Sequence, residues 1–313
     1  MATEAIIGIR DASEVTSDAP HSRALGRRAA LADYWALTKP EINFLIAIAT
    51  FAGFYFGCKV AHAFPLLLLI HTLLGTLLVA SGAATLNQYV ERDFDALMRR
   101  TARRPLVVGR IQPAEALWFG IFLSACGAIY LAVATNVLAS LLAVVTFVSY
   151  LFLYTPLKRK TPLCTLVGAL PGAMPPLIGY AAATGRLGSV AWALYIILFL
   201  WQFPHFMSIA WMYREDYDRA GYKMLPNREA RFRLVALQTI LPLLALVPMS
   251  LSPTLPGQAG ILCFAAALLL SCGFLYNGTQ FVMHRSCASA RRLLFASIIY
   301  LPSLFLVMIV LGR

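Results

Sequence analysis

Nine apolar stretches, each near the roughly 20 residues a helix needs to cross the hydrocarbon core of a bilayer, succeed one another after residue 40. They run over about 41–60, 64–90, 113–133, 137–155, 163–183, 190–212, 234–252, 258–282 and 292–312. No other feature restricts the fold as strongly. In hydrocarbon every backbone N–H and C=O must find its partner within the protein, which leaves the α-helix for stretches of this length. Composition agrees: the 313 residues are 60% hydrophobic and only 13% charged, with a mean hydropathy of +0.73. Soluble domains carry about a quarter of their residues charged. An all-α integral membrane protein with about nine transmembrane helices is therefore expected.

The basic residues orient these helices. Of the 26 lysines and arginines, all but Lys59, Arg186 and Arg313 fall in the N-terminal segment or in every second loop. The positive-inside rule places those loops and the N-terminus in the cytoplasm and the C-terminus on the outer side. The same distribution accounts for the net charge of +12 without invoking nucleic acid. Residues 1–38 mix acids with bases and lack a small-residue cleavage site, which argues against a signal or transit peptide. They are expected to be a flexible polar cytoplasmic tail, ending in an interfacial segment from Tyr34 to Pro40. Residues 39–313 then make a single membrane domain. The six cysteines show no C-x-x-C pair and read as small buried hydrophobes.

Acids are scarce, and outside the tail and helix starts they gather in two cytoplasmic loops. The first runs from Asn87 to Gly109 and holds Glu91, Asp93 and Asp95 among Arg92, Arg99, Arg100, Arg103 and Arg104. Asn87, Glu91 and Asp95 are spaced i, i+4, i+8, so on a helix they stack along one face. Such a ladder at the mouth of a membrane helix is costly unless a cation sits in it. Asp93 points about 200° away and is assigned to hold Arg103 or Arg104. The second loop holds Glu215, Asp216, Asp218 and Glu229. Oxygen donors of this kind suit Mg2+, which is commonly held by one or two carboxylates together with substrate phosphates. Neighbouring bases then complement phosphate oxygens. A phosphate headgroup at the rim of an apolar core implies a lipid-like substrate, and an isoprenyl diphosphate fits. Tyr89, Phe94, Tyr150, Tyr154 and Trp211 are candidate faces for the allylic cation that departure of diphosphate leaves.

The ladder with its surroundings, N-x-x-x-E-R-D-F-D-A-L-M-R-R-T-A-R-R-P-L-V-V-G, resembles the aspartate-rich motif of the UbiA-type intramembrane prenyltransferases, and within them the haem-farnesylating branch. The resemblance extends through T-K-P at 38–40, Y-T-P-L-K-R-K-T-P at 154–162, G-A-L-P-G-A-M-P-P-L-I-G-Y at 168–180, W-Q-F-P-H-F at 201–206 and R-E-D-Y-D-R-A-G-Y-K-M-L-P at 214–226. It implies nine helices around a central cavity with a cytoplasmic cap, in the bacterial cytoplasmic (inner) membrane. It also implies transfer of the farnesyl group of farnesyl diphosphate to the vinyl group of protohaem (haem b), with Mg2+ as cofactor and haem a synthase or terminal oxidase assembly downstream. Carried onto this chain, Asn87, Glu91, Asp95 and Asp216 are the expected catalytic and metal-binding residues. Lys39, Arg99, Arg103, Arg104, Lys158, His205 and Asp218 are the expected substrate contacts. Three positions depart from the family pattern: Glu91 replaces an aspartate, Asp218 has no acid four residues on, and Cys164 stands where relatives often carry asparagine.

His205 lies within an apolar stretch beside Pro204, where an ionisable side chain points to function. Contact with haem, or repair of the proline kink, are the two readings. Gly168, Gly172 and Gly179 alternate with Pro171, Pro175 and Pro176 and read as a close-packed, broken helix. A prenyltransferase acting on an aromatic quinone precursor would use the same diphosphate machinery. A transporter would instead show inverted repeats and midplane charges, which the sequence lacks.

Overall fold

The computed structural model describes residues 29–62, 64–223, 228–252 and 260–311, and the first 28 residues of the expected tail lie outside them. Helix α1 (29–37) leads into α2 (Pro40–Ala61), α3 (Leu66–Asp95), α4 (Pro113–Ala134) and α5 (Val137–Val148). A π-helical turn (Ser149–Tyr154) joins α5 to the short α6 (Thr155–Leu157). Then come α7 (Cys164–Gly172), α8 (Pro175–Thr184), α9 (Ser189–Met212), α10 (Arg214–Arg219), α11 (Arg228–Leu251), α12 (Ile261–His284) and α13 (Cys287–Leu311). Among the described residues, nine spans are long and apolar enough to cross a membrane, counting α5 with α6 and α7 with α8 as one each. The protein is an integral membrane protein, as the apolar stretches require.

Local chemistry sets the boundaries. Pro40 and Pro113 occupy first turns, where the missing N–H removes nothing. Asn136 caps α5 by accepting from the Ala139 N–H at 2.9 Å, and Gly185 ends α8 in the left-handed region at φ 69°. Two differences from the sequence reading matter. First, α3 runs on to Asp95, so the whole ladder is helical and buried. Second, the described end of the expected tail is helical and held to the domain through a few side chains. Leu37 is fully buried with Leu106, Ile111 and Ala116. Asp33 accepts from Arg110 Nε at 2.9 Å, and Gln88 Nε2 donates to the Leu37 carbonyl at 2.8 Å. A short segment with one apolar face gives no sequence signal of what it will lie against.

The helices form two packed halves. One core is built from α2, α3, α4, α5 and α8, the other mainly from α9, α11, α12 and α13. Helix α2 touches both. Its contact with α8 is backbone against backbone: a Cβ on Gly179 would stand 2.0 Å from the Thr50 carbonyl oxygen, and one on Gly53 2.0 Å from that of Pro176. Small residues drive such approaches in lipid, where no hydrophobic force gathers helices. Gly179→Ala is expected to lower stability by about 3 kcal/mol, the upper range for overpacking. Thermal unfolding in detergent would read this as a clear drop in midpoint, and an unchanged midpoint would contradict the backbone contact. Between α7 and α8 the helix breaks, as the Gly/Pro pattern suggests, and Gln202 of α9 steadies the break by donating to the Ala169 carbonyl at 3.1 Å.

Candidate active site

At the end of the bundle where the basic loops lie, α3, the π-helical turn and the α1–α2 junction line a half-open cavity of about 150 Å3. Asn87, Glu91 and Asp95 form one wall, as the i, i+4, i+8 spacing requires, and all three are buried. Asn87 and Glu91 have partners from far along the chain, and Asp95 has one nine residues on. Lys39 Nζ donates to Asn87 Oδ1 at 3.1 Å, while Asn87 Nδ2 donates to Thr155 Oγ1 at 3.2 Å. Lys158 Nζ donates to both Glu91 oxygens, at 2.8 and 3.1 Å. Arg104 forms a charge-assisted pair with Asp95.

The opposite wall is aromatic. The π-helical turn places Tyr150 and Tyr154 on the cavity with ring centroids 5.5 Å apart, and Lys158 Nζ lies 4.6 Å from the centre of the Tyr154 ring. π-helical turns of this kind often occur at functional sites because they re-aim side chains. Tyr217 and Tyr222 complete the lining, their rings nearly perpendicular at 5.8 Å.

The electrostatics favour an anion beside the carboxylates. Burial pushes Lys39 down to about 7, with Arg104 and Lys158 adding to the effect. Burial also works against the charge of Lys158, but Glu91 and the two tyrosines outweigh it and hold the ammonium well above its usual value. Burial beside Glu91 raises Tyr222, keeping its hydroxyl protonated. Four basic side chains, Lys39, Arg100, Arg104 and Lys158, thus line the cavity with two acids, and a bound anion would favour the charged form of Lys39.

Of the expected site residues, Asn87, Glu91, Asp95, Lys39, Arg104 and Lys158 meet on the cavity. Arg99 and Arg103 are exposed and do not line it; Arg100 does. The turns that follow Asp95 have no regular period, so spacing could not choose among these arginines. Asp93 is exposed and pairs with Arg92 at 3.8 Å, not with Arg103 or Arg104. Asp216 sits behind the wall: it accepts from the Arg100 main-chain N–H at 3.3 Å and from Arg219 at 3.2 Å. The two acidic loops therefore touch, but through arginines. Asp218 is exposed outside the lining, and His205 lies on α9 away from the cavity. Tyr89, Phe94 and Trp211 line no part of it, whereas Tyr150 and Tyr154 do. Tyr217, Tyr222 and Arg100 were missed, although the first two follow Asp216 within the block R-E-D-Y-D-R-A-G-Y.

No group of three His, Cys, Asp or Glu side chains able to hold a metal occurs among the described residues. Two carboxylates and an amide oxygen on one helix wall nevertheless suit a hard cation whose remaining ligands are water and phosphate. The donor set fits Mg2+ on those terms.

A polytopic helical membrane protein with an oxygen-donor ladder and convergent cations is built to hold a phosphorylated lipid. Residues 46–300 match the UbiA prenyltransferase family, and the chain belongs to it. Relatives include a protoheme IX farnesyltransferase of Solibacter usitatus, 49% identical over 87% of this chain and 96% of its own length. One from Koribacter versatilis is 45% identical over 89% and 92%, and one from Aquifex aeolicus is 40% identical over 89% and 94%. Among solved structures, one described for digeranylgeranylglyceryl phosphate synthase superposes with TM-score 0.72 at 16% identity, covering 91% of this chain and 99% of that one. A UbiA homologue from Archaeoglobus fulgidus bound to GPP and Mg2+ gives TM-score 0.60 at 16% identity, with 88% and 99% covered. This protein is a prenyltransferase of that fold.

Proposed function

We propose that this enzyme transfers the farnesyl group of farnesyl diphosphate to the vinyl group of protohaem IX, with addition of water, to give the hydroxyethylfarnesyl haem called haem o. The relatives' names supply the acceptor; the cavity supplies the chemistry. The observation that carries it is the buried ladder Asn87–Glu91–Asp95 lining one cavity together with Lys39, Arg104 and Lys158, each bonded to a ladder residue.

Asn87, Glu91 and Asp95 would hold Mg2+, which when bound neutralises charge growing on the departing diphosphate. Lys39, Arg104 and Lys158 bind the phosphate oxygens and are positioned before the bond breaks, which is how fixed charges lower a barrier. Among the described residues Lys39 forms no salt bridge, and its hydrogen bond goes to Asn87, which an incoming anion would displace. Tyr150 and Tyr154 line the same cavity and supply the aromatic groups that would stabilise positive charge on the carbon being released. Tyr217 and Tyr222 close the cavity against water until the vinyl group attacks. Asp216 orders Arg100 from behind, and reaches the cavity only if Arg100 and Arg219 release it. At about 150 Å3 the cavity accepts a headgroup and not a larger ligand, since drug-sized molecules occupy roughly 300–1,000 Å3. The farnesyl chain and the porphyrin therefore lie against the apolar helices, with His205 as a haem contact. Residues 39–313 act as one domain in the bacterial cytoplasmic membrane, with the basic loops and the N-terminus inside.

The test is incubation of purified protein with protohaem, farnesyl diphosphate and Mg2+, followed by mass analysis of the haem. The expected product is haem gaining the farnesyl and hydroxyl groups, lost on chelation with EDTA and restored by Mg2+. Unaltered haem alongside a prenylated aromatic acceptor would transfer the assignment to quinone chemistry.

A further inference from the structure

His205 is fastened to a single residue of α13. Its Nδ1 lies 2.8 Å from the Ser297 hydroxyl, and the Trp201 indole stacks on its ring with centroids 4.7 Å apart and planes at 23°. Trp201 Nε1 donates in turn to the Ser297 carbonyl at 2.8 Å. Ser297 is completely buried.

Counting protons decides which way the histidine bond runs. A serine hydroxyl has one proton, and Ser297 Oγ lies 2.6 Å from the Leu294 carbonyl, which can only accept. That proton is therefore committed to Leu294, and Oγ meets His205 with a lone pair. Nδ1 must be the donor. A neutral imidazole that donates from Nδ1 keeps its lone pair on Nε2. Among the described residues Nε2 takes no hydrogen bond, and the ring is only partly buried.

We propose that Ser297 is a positioning residue that pins the proton of His205 on Nδ1 and so offers Nε2 as an electron-pair donor to the iron of the acceptor porphyrin. This rests on the reading of His205 as a haem contact. Free imidazole in water favours the opposite tautomer, with the proton on Nε2, so the protein must select this one. Histidines that ligate a metal commonly donate their other ring N–H to an oxygen, which fixes the tautomer and makes the ligating nitrogen more basic. The chain from Nδ1–H through Ser297 Oγ–H to the Leu294 carbonyl supplies that oxygen in a segment where water is scarce. Trp201 adds the ring orientation. Its bond goes to the main chain of Ser297 and survives removal of the hydroxyl.

The proposal is tested on full-length protein in lipid nanodiscs with 15N-labelled histidine, the His205 signals being assigned by their loss in His205→Asn. Wild type should show His205 protonated on Nδ1. Ser297→Ala should shift the resonances toward the Nε2–H form, and Ser297→Thr should restore the original pattern. An Nε2–H signal in wild type, or a spectrum unmoved in Ser297→Ala, overturns the proposal. Ferric haem is then titrated by absorption spectroscopy. Ser297→Ala should weaken binding by about 10–100-fold, as loss of an outer partner of a metal ligand does. If His205→Ala binds haem as wild type does, the underlying haem-contact reading fails. If His205→Ala loses affinity and Ser297→Ala does not, the role of Ser297 fails alone.

Discussion

Asp95→Ala is expected to slow prenyl transfer by orders of magnitude while leaving the protein folded. Asp95 contributes one of the two ladder carboxylates and is the partner of Arg104. Without it the metal loses a ligand and Arg104 loses the group that aims it at the diphosphate. The expected fall in kcat is about 10²–10³-fold, the usual effect of removing one group that stabilises developing charge. Arg104 reaches solvent in part, with 23% of its side chain exposed, so it is not stranded as a buried charge. The unfolding midpoint should therefore move little. Asp95→Asn keeps the shape and removes only the charge, and it should lose activity to the same degree. Product formation at the wild-type rate in either variant would remove the ladder from the mechanism.

Lys158→Met should act on stability and activity together. The Lys158–Glu91 pair is mostly buried, at 12% and 9% side-chain exposure. Removing one partner of a buried pair leaves the other charge uncompensated and typically destabilises by about 3–5 kcal/mol. Adding Glu91→Gln removes the stranded carboxylate, and the double variant should recover most of the lost stability. Activity should not return, because both a phosphate contact and a metal ligand are then absent. Thermal unfolding and the haem assay on the two single variants and the double variant complete the cycle. A double variant no more stable than Lys158→Met would show that the two charges are not coupled. Recovery of turnover alongside stability would show that the pair is structural only.

Much of this is legible in the amino-acid sequence alone. The nine spans followed from lengths of apolar sequence, because hydrocarbon tolerates only internally bonded backbone. The face shared by Asn87, Glu91 and Asp95 followed from helical period alone. Spacing failed where regular structure ended. After Asp95 the chain turns irregularly, and Arg100 and Arg104 reach the cavity while Arg99 and Arg103 do not. Asp93 found Arg92 beside it for the same reason. Tyr217 and Tyr222 escaped notice because their importance depends on where α10 is laid down, which nothing within six helical residues specifies.

By itself, then, the sequence determined that the chain is a helical membrane protein, where its helices lie and which side chains share a face within each one. Those properties depend on residues a few positions apart, through periods and lengths fixed by backbone geometry. Only the tertiary structure decided that Lys39 and Lys158 come to the ladder from 48 and 67 residues away, that Asp216 stands behind the wall, and that Ser297 meets His205. Such meetings depend on which helices pack together and at what rotation, and that is settled by contacts such as Gly179 on Thr50, spread across the whole molecule.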